Sequence, residues 1–221
     1  YLMRNKIIIF LIILTSCSSE KENLIIEGEI SGVKNSKIYL SYADEEEILD
    51  SVNIIDGKFT LKTYVDKTKE MSMILGDRNS EDKFDFISEP AHILFTSSKD
   101  KFVFNGKIQN SKLYIDYKNL KNQINRFDEK DLEMLAEQIE VSVKGNPNKY
   151  DSINEQRLKL NQRKILFIVN YASNNSSNPI SAFISYKYRE NINEKFLEKI
   201  YENLSDEIKN SYYGAKLSSS F

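Results

Sequence analysis

The apolar residues of this chain change their spacing once, near residue 110, and this change limits the fold more than any other feature. From Leu24 to Gln109 apolar and polar residues alternate, as in strands that bury one face. From Ser111 onward the apolar residues recur every three or four positions, as on one side of an amphipathic helix. The sequence therefore predicts a strand region followed by a helical region.

Turn residues divide the first region into short strands. Asp56-Gly57 is typical of a two-residue hairpin, because both turn positions tolerate a positive φ. Phe102-Val103-Phe104 shows the strand alternation and is predicted to be a late strand of the region. Short strands separated by turns at intervals of about ten residues are typical of sandwiches and barrels. We predict an antiparallel β-sandwich or barrel over residues 24–109.

Helix signals divide the second region, residues 110–221. Gly145-Asn146-Pro147 is expected to end a first long helix, and a second is predicted from Asp151 to Tyr171. Ser205 has the side chain of an N-cap and is expected to start a late helix. The predicted fold class is α+β, with strands first and helices after them.

Cys17, the single cysteine, follows a short apolar run that itself follows two basic residues, Arg4 and Lys6. The run covers residues 7–14, far fewer than the roughly 20 residues that cross a bilayer as a helix, so a secretory signal is favoured. Leu14-Thr15-Ser16-Cys17 has the lipobox pattern of a bacterial lipoprotein. We predict a signal peptide over residues 1–16 that is cleaved between Ser16 and Cys17.

Lipid on Cys17 is expected to hold the protein in the membrane, and residues 17–23 are expected to form a polar tether. The predicted location is the cell envelope, at the outer membrane, facing either the periplasm or the surface. The alternative is an ordinary cleaved signal with a coincidental cysteine. No second cysteine exists to pair with Cys17, which agrees with its use for lipid.

Charge excludes one class of partner. Without Arg4 and Lys6 of the predicted signal, the chain keeps 29 basic against 33 acidic residues, a net charge of −4. Nucleic-acid binding needs a basic surface, so we expect no nucleic-acid partner.

Individual polar residues do not combine into a catalytic or metal site. His92 is the only histidine and is expected to point outward from a strand. Asp77-Arg78-Asn79-Ser80-Glu81-Asp82 begins like a calcium loop but lacks the glycine at its sixth position and the later glutamate, so a solvated loop is favoured. We predict no catalytic residue, no metal and no cofactor.

Two further features can be interpreted either structurally or functionally. Asp50-Ser51-Val52 and Asp151-Ser152-Ile153 match a short O-glycosylation signal that is common by chance. The aromatic side chains are better explained by core packing than by a binding groove, and both interpretations stay open for Tyr186, Tyr188, Tyr212 and Tyr213.

The order of these signals resembles the N-terminal domain of unknown function of Bacteroidota lipoproteins of the TlpA/ResA type. The segments that carry the resemblance are Ile26-Glu27-Gly28-Glu29-Ile30, Lys37-Ile38-Tyr39-Leu40, Asp56-Gly57-Lys58-Phe59, Phe86-Ile87-Ser88-Glu89-Pro90, Asn178-Pro179-Ile180-Ser181 and Ser211-Tyr212-Tyr213-Gly214. Ala91 stands where the family usually has glycine.

The resemblance implies a role beside a thioredoxin-like domain, which in relatives follows this region and carries a Cys-x-x-Cys. This sequence has no Cys-x-x-Cys, so no redox residue can be transferred to it. We expect a non-catalytic spacer, docking or oligomerisation region that works with a thioredoxin-like domain or protein or with further copies of itself. The alternatives are a surface module that binds a peptide, glycan or small apolar ligand and, last, a hydrolase that uses carboxylates.

Overall fold

The computed structural model describes residues 21–45 and 47–221. Ser16, Cys17 and the predicted signal peptide lie outside these residues. Within them no helix combines the length and the apolar character that crossing a bilayer requires.

Eight strands form one mixed sheet that curls strongly into a half-barrel. The strands are β1 (Leu24–Ser31), β2 (Asn35–Tyr42), β3 (Ile48–Ile55), β4 (Lys58–Thr63), β5 (Glu70–Leu75), β6 (Lys83–Ile87), β7 (Ala91–Ser98) and β8 (Lys107–Gln109). Their order across the sheet is β6-β5-β2-β3-β4-β1-β7-β8. Among these strands β1 and β7 pair in parallel, with Ile26 opposite Ile93, and the other neighbours pair antiparallel.

The hairpin between β3 and β4 forms as its sequence predicts. Asp56 and Gly57 have φ angles of 50° and 81°, and Ile55 pairs with Lys58 across the turn. Asparagine, aspartate and glycine are the residues that adopt such angles at least cost. The Asp56-Gly57 dipeptide therefore fixes the register of these two strands.

The inner face of the half-barrel holds an apolar core that aromatic rings close. Phe84, Phe95 and Phe102 pack edge to face, with centroids 5.0 and 5.7 Å apart along the row. Phe102 begins a short helix, α1 (Phe102–Asn105), so the prediction of a strand at Phe102-Val103-Phe104 is wrong. A strand would place Phe102 and Phe104 on the same face, whereas Phe102 is buried and Phe104 is 85% exposed.

The helices follow the sheet and enclose a second apolar core. They are α2 (Lys112–Val143), α3 (Pro147–Asn174), α4 (Pro179–Lys187), α5 (Glu194–Asn203), α6 (Asp206–Lys209) and α7 (Tyr212–Ser218). Ser205 is the N-cap of α6 as predicted. The predicted start of the second long helix at Asp151 is wrong, because Asn146 accepts the Lys149 N–H as an N-cap and α3 begins at Pro147. The prediction of an α+β fold, with a β-region followed by helices, is confirmed.

α2 and α3 are much longer than the other helices and pack against each other along a hairpin. Arg157 of α3 donates from Nε and Nη2 to the two carboxylate oxygens of Asp131 in α2, at 2.8 and 2.9 Å. Its Nη1 donates to Oε1 of the buried Gln138 at 2.8 Å. A polar network thus holds the outer half of the hairpin.

Candidate functional site in the cleft between the sheet and the helices

A cleft of about 1020 Å³ opens where the loop after β4 meets the C-terminal helices. One wall is the loop of residues 64–69, and the other comes from α4, α6 and α7 and the turn after α4. Side chains of both walls reach the cleft, among them Asp66, Thr68, Tyr186, Arg189, Tyr212 and Lys216. The site is thus assembled from residues far apart in the sequence.

Side chains on both sides clamp the loop of residues 64–69. Asn23 Nδ2 donates to the Val65 carbonyl and the Val65 N–H donates to Asn23 Oδ1, both at 2.8 Å. At the other end, the buried Ser88 hydroxyl donates to the Lys67 carbonyl at 3.1 Å and accepts from the Lys69 N–H at 2.9 Å. The loop is therefore tied down at Val65 near one end and at Lys67 and Lys69 near the other.

Three cations and three tyrosine rings alternate from the sheet to the far side of the cleft. Lys69 Nζ lies 4.0 Å from the ring centroid of Tyr42 and 4.3 Å from that of Tyr212. Lys216 Nζ lies 4.6 Å from the Tyr212 centroid and 5.4 Å from that of Tyr186, and the Arg189 guanidinium carbon lies 4.2 Å from the Tyr186 centroid. Cations over a ring face are attracted by its quadrupole, so each contact is favourable. We call these six residues the cation–tyrosine ladder.

The inner cation of the ladder is neutralised within the protein. Lys69 is 9% exposed, and its Nζ donates to Glu45 Oε1 at 2.7 Å. Burial lowers the pKa of Lys69, but the hydrogen bond to Glu45 and the nearby acidic groups outweigh burial, and the pKa is raised. Lys69 therefore carries its charge as part of the structure.

The two outer cations have weaker carboxylate partners. Lys216 Nζ lies 4.0 Å from Asp44 Oδ2, at the limit of an ion pair, and its pKa is raised chiefly by a hydrogen bond with Tyr212. Arg189 Nη1 donates to the Tyr186 carbonyl at 2.9 Å, and its Nε lies 3.4 Å from Oε1 of Glu190, whose side chain is 80% exposed. Both cations are thus able to accept an anionic group from a ligand in the cleft.

Beneath the cleft, Glu70 joins the sheet to the helices. Its Oε1 accepts from the Tyr117 hydroxyl at 3.0 Å, and its backbone N–H donates to the Tyr213 hydroxyl at 3.2 Å. Burial is the main reason that the pKa values of Tyr117 and Tyr213 are raised, so both hydroxyls stay protonated. The walls of the cleft are held in a fixed relation by these contacts.

The other residues singled out in the sequence lie away from the cleft. His92 is exposed on β7, with Nε2 3.0 Å from Glu27 Oε1 on the adjacent β1. In the turn after β5, Asp77 Oδ1 accepts the Asn79 N–H at 2.9 Å, so this carboxylate caps a turn. Over residues 21–45 and 47–221 no group of three or more His, Cys, Asp or Glu side chains is arranged to hold a metal ion.

The two glycosylation-like motifs are found in regular elements. Asp50 lies in β3, where its carboxylate accepts the N–H groups of Ser51 at 2.7 Å and Lys62 at 2.8 Å. Ser152 is exposed in the first turns of α3, and its hydroxyl accepts from Gln156 at 3.4 Å.

Of the four aromatic residues set apart in the sequence, two line the cleft. Tyr186 and Tyr212 belong to the cation–tyrosine ladder, whereas Tyr213 is buried and Tyr188 is half-buried near Lys164. Sequence reasoning missed the cations that complete the ladder, Lys69, Arg189 and Lys216. Arg189 follows Tyr186 by three positions and Lys216 follows Tyr212 by four, a helical spacing that could have indicated these two contacts. Lys69 reaches Tyr212 only because α7 packs beside the start of β5.

Six charged residues line the cleft: the basic Lys67, Arg189 and Lys216 and the acidic Asp66, Glu190 and Glu207. The lining therefore offers cations to a ligand but carries no formal net charge.

One family model matches residues 24–159, and its description is a domain of unknown function (DUF4369). The match covers all eight strands, α2 and the first part of α3. No curated protein and no solved structure matches the chain.

Proposed function

The chain belongs to the DUF4369 family, and we propose that it is a non-catalytic accessory region of a lipid-anchored envelope protein that works with thioredoxin-like thiol–disulfide exchange. The proposal is supported by segments that resemble TlpA/ResA-type lipoproteins, such as Ile26–Ile30 and Phe86–Pro90, both of which lie within the matched domain. The single cysteine lies in the lipobox, so the chemistry of disulfide exchange has to come from another domain or protein.

The structural observation that carries the accessory role is the junction at Glu70. A spacer or docking region has to hold its two ends in a fixed relation. Glu70 is the first residue of β5, and its carboxylate binds Lys187 of α4 at 2.9 Å and Tyr117 of α2 at 3.0 Å. The sheet and the helices therefore support each other as one body.

The first test is to sequence the gene downstream of the codon for Phe221. An in-frame Trp-Cys-x-x-Cys domain would support the proposal directly. If a stop codon is found instead, in-cell crosslinking followed by mass spectrometry is expected to capture a thioredoxin-like protein. A stop codon together with no such crosslink would contradict the association with thiol–disulfide exchange.

The lipid anchor has a separate test. Cells fed an alkyne fatty acid are expected to label the wild-type protein and to leave Cys17→Ala unlabelled, because the acyl chains need the Cys17 thiol and the amine freed by cleavage. Ser18→Ala is the control and should be labelled like the wild type. Equal labelling of Cys17→Ala would exclude lipidation at this residue.

A second candidate is a surface binding module, and the cleft is the observation that favours it. Ligand sites are concave, with volumes of about 300–1,000 Å³ and a few placed polar groups. The cleft has about this size and carries Tyr186, Tyr212, Arg189 and Lys216. Binding that shifts NMR signals of these residues would support the module, and ligands that shift only signals elsewhere would count against it.

A further inference from the structure

We propose that the cleft takes a short peptide segment with one or two acidic side chains, whose carboxylates bind Lys216 and Arg189. The inference rests on the binding-module function proposed above and names its ligand. It is argued from the partners of the two cations, from the ring faces and from the charges around the cleft.

Lys216 and Arg189 supply the attraction. Their carboxylate partners in the protein lie at 4.0 and 3.4 Å, whereas the Lys69–Glu45 pair is at 2.7 Å. A carboxylate from a ligand at ordinary hydrogen-bonding distance would be a better partner than either Asp44 or Glu190. Arginine binds a carboxylate through two parallel N–H groups, which also fixes its orientation.

The tyrosine rings argue against a sugar as the ligand. Sugar rings are usually held by stacking on an open aromatic face. Here each ring in the cleft already has two cations within 6 Å of its centroid, Lys69 and Lys216 for Tyr212, and Lys216 and Arg189 for Tyr186. Little ring face is left for a sugar, and the rings act instead to hold the cations in place.

The acidic residues around the cleft argue against a dense polyanion. Asp66, Glu190 and Glu207 line the same cleft as Lys216 and Arg189, and the third lining cation, Lys67, lies 3.7 Å from Asp66 Oδ2. They would repel a ligand with a charge on every unit, such as a polyuronate or a nucleic acid. A peptide with one or two carboxylates meets the two cations without placing further negative charge beside these three residues.

The test uses titration of the ¹⁵N-labelled protein with two pools of blocked five-residue peptides. The pools are randomised except for the central residue, which is glutamate in one and glutamine in the other. The glutamate pool is expected to shift the amide signals of the cleft residues and to bind about tenfold more tightly, because a hydrogen bond to a charged group contributes that much. A third arm uses oligogalacturonate.

Variants identify the groups responsible. Lys216→Gln and Arg189→Gln are each expected to weaken binding of the glutamate pool about tenfold, with the circular dichroism spectrum unchanged. Lys199→Gln, an exposed lysine of α5 outside the cleft, is the matched control and should bind like the wild type. Two different variants keep the test valid if one of them disturbs the ladder.

Each remaining outcome decides against part of the proposal. Equal binding of the glutamine pool in the cleft, or tighter binding of oligogalacturonate there, would overturn the acidic peptide and leave a binding module. If neither Lys216→Gln nor Arg189→Gln weakens the affinity for the glutamate pool, the role of these cations is overturned. Absence of any shift at the cleft residues with all three probes would overturn the acidic peptide and count against the binding module itself.

Discussion

Lys187 Nζ lies 2.9 Å from Glu70 Oε1 and 3.0 Å from Glu70 Oε2, across 117 positions of sequence. The last residue of α4 thereby forms an ion pair with the first residue of β5. The Glu70 side chain is 14% exposed and that of Lys187 is 45% exposed, so the carboxylate is the buried partner. Removal of the carboxylate is therefore expected to lower the free energy of unfolding more than removal of the lysine.

Glu70→Ala is expected to destabilise the protein by about 2–4 kcal/mol. It removes the acceptor of the Tyr117 hydroxyl, and a buried donor without a partner costs more than the bond itself contributed. Lys187→Gln is the control and should cost less than about 1 kcal/mol, since an exposed partner of a surface pair contributes little. Urea unfolding followed by circular dichroism measures both, and equal losses would show that Glu70 has no special role.

Gly28→Ala is expected to destabilise the sheet by about 1–3 kcal/mol through overpacking. A Cβ on Gly28 would lie 2.0 Å from Cζ of Phe59, the residue opposite Gly28 in the neighbouring strand. Phe59→Leu removes the obstructing atoms, so in that background the additional cost of Gly28→Ala should be much smaller. A double-mutant cycle by thermal or urea unfolding checks this, and simple additivity would rule out the clash as the cause.

High pH is expected to weaken the fold. Burial raises the pKa values of the Tyr42, Tyr117 and Tyr213 hydroxyls, and the pKa of Lys69 is raised as well. Each group binds its proton more tightly in the folded state, so its contribution is fully present below about pH 10 and lost as the pH rises through the folded pKa. The unfolding free energy should therefore be flat from pH 7 to 9 and then fall by about 1.4 kcal/mol per pH unit for each such group.

Tyr117→Phe tests this pH dependence. It should lower stability by a constant amount between pH 7 and 9, because the hydrogen bond to Glu70 is lost. Above about pH 10 its slope should be smaller than that of the wild type, because one group fewer releases a proton on unfolding. Parallel curves for the two proteins up to pH 11 would show that Tyr117 does not contribute.

Arg157→Lys is expected to loosen the outer half of the α2–α3 hairpin. Lysine cannot reproduce the two-pronged contact with Asp131, and the buried Gln138 would lose its donor. A loss of about 1–2 kcal/mol corresponds to roughly five- to thirty-fold faster local hydrogen exchange. Arg163→Lys, at an exposed position of the same helix, should leave exchange in residues 128–160 unchanged, and a similar acceleration in both variants would refute the network.

The sequence predicts the elements better than their arrangement because local spacing determines the first and not the second. Asp56-Gly57 and the capping residue Ser205 act on their immediate neighbours, and both behave as expected. Phe102-Val103-Phe104 alternates like a strand, yet Phe102 turns inward to close the half-barrel and the segment becomes helical. Tertiary packing there overrides the local pattern.

The cleft could not be predicted because its contacts join distant parts of the chain. The parallel pairing of β1 with β7 has no local signal, since it depends on which strand reaches the free edge of β1. Lys69 and Lys216 meet on the ring of Tyr212 only after α7 has packed beside the start of β5. For the same reason, the sequence alone does not decide whether Tyr186 and Tyr212 belong to the core or to a binding groove.

A pulling force applied to the chain before β1 would be transmitted to the sheet through Asn23. Its N–H donates to the Thr63 carbonyl at 3.1 Å, and its side chain is bound to Val65. The strand that follows, β1, lies between β4 and β7. A force along β1 is therefore shared by two rows of hydrogen bonds, which have to slide together and cannot open one by one. Because the Asn23 side chain also binds Val65, the same force reaches the loop of residues 64–69, which forms one wall of the cleft.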